Sequence, residues 1–293
     1  MNILQEALNS ISESISITIR SSTLVFLGFV SVFFTAIFEV YQFLPFVNIN
    51  LNALTASSFP NIAHNFIISL ISTPLWVPVI IIILLLIYLF FSIYLSSVGY
   101  TALMRTLLIR ENWGRFPSLR DAWNMGRERW VRYVTFQTIA IIFAIIFSAL
   151  YYVFFIVTVP LGIVAVIFDS IVAILLSFFL LSWNYFALRK FISENIDIFS
   201  AIKLTFFRIY HEFPKFILIS IVYIIYLVIF VSIASYVESM MRSVVLNFYS
   251  RSFIFSIPLI LFAIFMFFFI VSFITVFTSA FWTHIYIREE SII

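Results

Sequence analysis

The sequence predicts an all-α, polytopic membrane protein with six transmembrane helices, built as three repeats of an amphipathic helix followed by a transmembrane hairpin. Three observations lead there. The 293-residue chain is 64% hydrophobic and only 10% charged, with a mean hydropathy of +1.17, whereas soluble domains carry charge on roughly a quarter of their residues. Six apolar runs reach the ~20 residues needed to cross a hydrocarbon core of about 30 Å. Lys and Arg are concentrated in alternate connectors between those runs.

The chain starts with Ile3 to Ile19, where Leu4, Leu8, Ile11, Ile15 and Ile19 recur at helical spacing while Glu6, Ser10 and Glu13 fall on other faces. This start is acidic and lacks a small-residue cleavage site, so no cleaved signal peptide is expected. The first span runs from about Thr23 to Leu44. An Asn- and Ser-rich stretch without Lys or Arg, Pro45 to Asn65, reads as an outer loop before the second span, Leu75 to Val98. Ser118 followed by Asp121 is a helix-start pair leading to the third span, Tyr133 to Val159. Val159-Pro160-Leu161-Gly162 turns the chain tightly into the fourth, Leu161 to Leu188. Asp197 starts a helix with Ile198, Ile202, Phe206, Ile209 and Phe213 on one face, and Pro214 opens the fifth span, Lys215 to Tyr236. The sixth is Phe253 to Ile285.

Charge sets the orientation. Seven arginines, at 105, 110, 115, 120, 127, 129 and 132, lie between the second and third spans, and Arg189, Lys190, Lys203, Arg208 and Lys215 lie between the fourth and fifth. With Arg20 and Arg288, one side carries 14 of the 16 basic residues, against Arg242 and Arg251 on the other. Short cytoplasmic connectors hold the excess of Lys and Arg, so both termini are expected in the cytoplasm. The expected location is a prokaryotic cytoplasmic membrane. A net charge of +3 distributed this way points to anionic lipid head groups rather than nucleic acid.

The closing phrases Ile109-Arg-Glu-Asn112, Ile192-Ser-Glu-Asn195 and Ile287-Arg-Glu-Glu290 recur in phase with this topology. They divide a single membrane domain, residues 1–293, into repeats of about 1–112, 113–195 and 196–293. The lead-in helices are expected to lie in the head-group plane. Trp76, Trp183, Trp282, Tyr100, Tyr185 and Tyr286 are expected to form an interfacial aromatic belt. With only five glycines and 39 Phe, bulky packing is expected to hold the bundle.

Candidate functional residues are few. Glu39, Asp169 and Glu238 stand at the outer ends of spans in different repeats, as a cation or proton site or as solvated interfacial carboxylates. No charge is expected deep in the core. Arg115, Arg120, Arg127, Arg129, Arg132, Lys203 and Arg208 are candidates for contact with lipid head groups or a partner protein. His64, His211 and His284 lack metal-site spacing and read as interfacial, so no metal is expected. The chain has no cysteine, which excludes disulfides, thiolate metal sites and a thiol nucleophile. Phosphate-binding loops and nucleophile elbows are absent, so neither a cofactor nor a catalytic residue is expected. Pro78 and Pro258, each near the start of a returning span, are the feature that favours transport.

Leu119-Arg-Asp-Ala-Trp123 and Phe199-Ser-Ala-Ile202, with Tyr100-Thr-Ala-Leu-Met-Arg105 and Tyr185-Phe-Ala-Leu-Arg189, give the chain a resemblance. It resembles prokaryotic six-span families similar to the membrane domain of glycerophosphodiester phosphodiesterases. That resemblance implies membrane residence and lipid association, without a soluble phosphodiesterase domain. The expected function is therefore a non-enzymatic scaffold, complex subunit or lipid-associated factor, partnered by the bilayer, other membrane proteins or its own copies. The alternative is a transporter or channel for a small or amphiphilic solute.

Overall fold

The computed structural model describes residues 3–36, 76–194, 196–249 and 253–290. Among these there are eight α-helices and no strand: α1 Ile3–Arg20, α2 Ser22–Ala36, α3 Trp76–Trp113, α4 Leu119–Thr158, α5 Ile163–Ser193, α6 Ile198–His211, α7 Phe213–Tyr249 and α8 Phe253–Glu290. Five are long and apolar enough to cross a bilayer, or six if α1 and α2, bent by 91° at Ser21, count together. Such a set is consistent with a multi-pass membrane protein.

Local chemistry places the breaks. Ser21 caps α2, its Oγ accepting from the Leu24 N–H at 3.3 Å. Gly114, at φ +68°, terminates α3 in the left-handed conformation that glycine adopts without penalty. The Ser118 Oγ accepts from the Asp121 N–H at 3.2 Å, and the Asp197 carboxylate accepts from the Phe199 N–H at 3.0 Å. A 3-10 turn, Val159–Leu161, and Gly162 at φ +96° reverse the chain between α4 and α5.

Two expectations are corrected. The Arg105–Arg132 stretch is mostly helix, because α3 continues through Arg110 to Trp113 and only residues 114–118 separate it from α4. The second lead-in helix is also not a separate in-plane element. It forms the first turns of the 40-residue α4, since neither proline nor a cap interrupts the chain before Tyr133. By contrast α1 and α6 are separate helices. Beyond the expected end of the fifth span at Tyr236, α7 continues as helix through Glu238 to Tyr249.

The long helices pack together at one end, while toward the other α3, α4 and α5 are largely exposed and α7 and α8 stay in contact through Met241, Ile260 and Ala263. Buried apolar residues cluster where α1, α3, α5 and α8 meet, around Leu103, Leu107, Phe186, Phe281 and Trp282. Beyond that core, α4 exposes Ile141 to Val157 and α3 exposes Val79 to Ile93 almost continuously. A 38-residue helix is ~57 Å long at 1.5 Å per residue, about twice the hydrocarbon thickness. One end of each long helix can therefore form a protein core while the rest meets lipid.

The expected aromatic belt is partly internal. Trp282 is fully buried and stacks on Tyr185 at 5.1 Å, and Tyr286 packs edge-on to Phe186. The face of α1 is corrected too: Ala7, Ser10, Ile11, Ser14 and Thr18 pack inward, whereas Leu4, Leu8 and Ile19 are exposed. Small residues pack better against α7 and α8, and Ser14 and Thr18 satisfy their hydroxyls on the preceding turn.

Glycine contributes more than its scarcity suggests. A Cβ on Gly28 would lie 2.6 Å from Val276 Cγ2, one on Gly99 2.9 Å from the Ser31 nitrogen, and one on Gly126 2.4 Å from the Val98 carbonyl oxygen. Three of the five glycines thus allow helix crossings that a methyl group would separate. Gly126→Ala should destabilise the protein by about 1–3 kcal/mol, the usual cost of overpacking. A lowered thermal midpoint in detergent, with exposed Asn124→Ala unchanged, is the expected result.

Candidate functional site

A groove of about 1100 Å³ lies between α4, α5 and α6. Gln137, Ala140, Ala144 and Phe147 line it from α4 at one-face helical spacing, facing Val172, Leu176, Phe179 and Trp183 of α5. One end is closed by α6, with Ile202, Lys203, Phe206 and Tyr210. The walls are rigid aromatic contacts: Phe143 meets Trp183 at 6.2 Å and Phe179 meets Phe206 at 5.3 Å, both edge to face. The Trp183 indole N–H donates to the Ile202 carbonyl at 3.2 Å and fixes α6 against α5.

The groove is amphipathic along its length. From Val172 to Asn184 it extends ~18 Å at 1.5 Å per residue, close to half of a hydrocarbon core of about 30 Å. Its α6 end carries the polar groups Gln137, Asn184 and Lys203. The Asn184 Oδ1 is buried and accepts no hydrogen bond, which is costly unless a ligand donor reaches it. Lys203 is exposed and makes no ion pair among the described residues. No carboxylate or histidine lines the groove.

The predicted basic contacts separate into two groups. Arg115, Arg120, Arg127 and Lys203 are exposed. Arg129, Arg132 and Arg208 bind within the fold instead. Arg129 donates to the Ile192 carbonyl at 2.7 Å, and Arg132 donates to the carbonyls of Phe191 at 3.0 Å and Glu194 at 2.9 Å, closing the end of α5. Arg208 pairs with Glu290 at 3.0 Å and with buried Glu289.

The three predicted carboxylates are not brought together among the described residues. Glu39 lies outside them, as does the side chain of Glu238. Asp169 is 1% exposed. Its Oδ2 accepts from the Thr158 hydroxyl across the α4–α5 turn, and its Oδ1 has no hydrogen-bond partner. It is not solvated, because the tight turn folds α4 over it.

Two basic side chains that sequence reasoning missed lie inside. Arg189 is fully buried, donating to the Thr283 hydroxyl at 3.1 Å and to the carbonyls of Tyr185 and Ser279 at 2.9 Å each. His284, expected at the interface, is 5% exposed and lies between Glu13 and Glu111. Both occupy the position three residues before the isoleucine of a closing phrase, Ile192 or Ile287, and Thr106 holds the same place before Ile109. Setting the phrases in register was the signal that would have found them.

No family model, curated protein or solved structure matches this chain.

Replacing Arg132 with Ala leaves the Phe191 and Glu194 carbonyls without their charged donor. A loss of about 1.5–3 kcal/mol is expected, as for hydrogen bonds to charged groups. Arg120→Ala, on an exposed residue, should leave the thermal midpoint unchanged.

Proposed function

We propose that the protein is a non-enzymatic, lipid-associated membrane factor that holds one leaflet amphiphile, its acyl chain in the α4–α5–α6 groove and its anionic head group at Lys203. The observation that carries this reading is the groove's polarity: an apolar channel about one leaflet deep, ending at an unpaired cation and an unpartnered amide oxygen. Exposed Phe199, Phe207 and Tyr210 around α6 are suited to the head-group boundary.

The same reading takes the chain as six spans in three repeats with cytoplasmic termini. Cyclic packing supports it. Each lead-in helix lies on the return helix of the preceding repeat: α1 on α8, the start of α4 on α3, and α6 on α5. The packed, charged end is then cytoplasmic, as the distribution of basic residues requires. The resemblance to the membrane domain of glycerophosphodiester phosphodiesterases is retained in this proposal through lipid association alone.

Transport of an amphiphilic solute is the second reading, favoured by the buried Asp169 with one unpartnered carboxylate oxygen. One experiment addresses both. Protein purified in mild detergent should retain about one anionic phospholipid per chain in this groove. Ala144→Trp, which fills the groove, and Lys203→Glu should each lower retention at least several-fold, while Leu150→Trp on the exposed face should not. Retention unaffected by both groove variants would refute the lipid reading. Solute flux in proteoliposomes that Asp169→Asn abolishes would establish transport.

A further inference from the structure

Three helices converge on a second polar centre, far in sequence and chemistry from the groove. Glu13 of α1, Glu111 of α3 and His284 of α8 each offer a ligand atom, all within 4.8 Å of one another. Glu111 Oε2 lies 3.2 Å from His284 Nδ1, and Glu13 Oε2 lies 3.3 Å from Nε2. Arg110 occupies the other side of both carboxylates, pairing with Oε1 of Glu13 at 3.2 Å and with Oε1 of Glu111. Both Oε2 atoms are therefore left facing the imidazole.

The two ring nitrogens differ in what they meet. Nδ1 lies at hydrogen-bond distance, 3.2 Å, from Glu111 Oε2. Nε2 is buried and has no hydrogen-bond partner, despite its 3.3 Å distance from Glu13. Both ring nitrogens thus face a carboxylate oxygen, and a neutral imidazole has one N–H to offer the two of them. Two carboxylates against one guanidinium leave the cluster one positive charge short of balance without the imidazole.

We propose that Glu13, Glu111 and His284 bind a divalent transition-metal ion of the zinc type, with one ring nitrogen of His284 ligating and Arg110 orienting the carboxylates. One imidazole and two carboxylates form a mixed N/O set suited to zinc, and three protein ligands leave a fourth tetrahedral position for water. The ion would connect α1 to the ends of α3 and α8. The half-exposed Glu13 gives it a path from solvent.

The test uses tag-free, full-length protein in detergent, stripped with a chelator and titrated with Zn²⁺ calorimetrically and with Co²⁺ optically. One Zn²⁺ per chain and the absorption of tetrahedral Co²⁺ are expected. His284→Ala and Glu13→Gln should each weaken Zn²⁺ binding tenfold or more, while Mg²⁺ should not compete. Helical circular dichroism and the gel-filtration profile establish folding, and Glu13→Gln carries the test if His284→Ala does not fold. Absence of stoichiometric Zn²⁺ binding, or binding unchanged in the folded variants, would overturn the proposal and leave His284 as an imidazolium bridging two carboxylates.

Discussion

Charge that cannot reach water freely has to be satisfied by the neighbouring helix, and this requirement shapes the packed end of the bundle. The glutamates two residues after Ile109, Ile192 and Ile287 each interact beyond their own helix. Glu111 meets His284, Glu194 accepts from the Tyr286 hydroxyl at 3.1 Å, and Glu289 pairs with Arg208 and Lys215. Burying such groups confers little net stability, because desolvation offsets most of the Coulomb attraction. It does penalise misplacement, since any shift of one helix leaves a buried charge without its partner. Register at this end is therefore set by polar groups, and close approach by Gly28, Gly99 and Gly126.

The exposed lengths of α3, α4 and α5 follow from the same division. With the helices held together at the packed end, these apolar segments need no tight mutual packing, since lipid solvates Ile, Leu and Phe as well as a protein core does. The α4–α5 hairpin uses that freedom. It meets the rest of the bundle near its base and leaves between itself and α6 the groove ending at Lys203. Structural rigidity and access to lipid thus occupy different levels of one set of helices.

Much of the fold was legible in the sequence, because span length, the Val159–Gly162 turn and the caps at Ser118 and Asp197 are local signals. Their outcome depends on a few adjacent residues and on water avoidance. The continuity of α4 was not legible, since an amphipathic start and an apolar continuation look like two elements whenever charge changes abruptly along a helix. The inward face of α1 was misread because Ser10 and Ser14 count as polar in any periodicity, yet bond to their own backbone and pack as small residues. The groove and the Glu13–Glu111–His284 centre join residues far apart in sequence; the register of the closing phrases marks the positions of Glu111 and His284 but not that Glu13 meets them. Arg189 was visible as the end of Tyr185-Phe-Ala-Leu-Arg189, but its burial depends on Thr283 and Ser279 of α8.

The account rests on the packed, charged end facing the cytoplasm, which places the head-group end of the groove in the inner leaflet. The chain's lack of cysteine makes this directly measurable. Single cysteines replacing Ser118, Ser193 and Gly162 can be probed with a membrane-impermeant thiol reagent in right-side-out and inverted vesicles. The account predicts that Ser118→Cys and Ser193→Cys react only in inverted vesicles and Gly162→Cys only in right-side-out ones. The opposite pattern, or labelling of all three from one side, would contradict it.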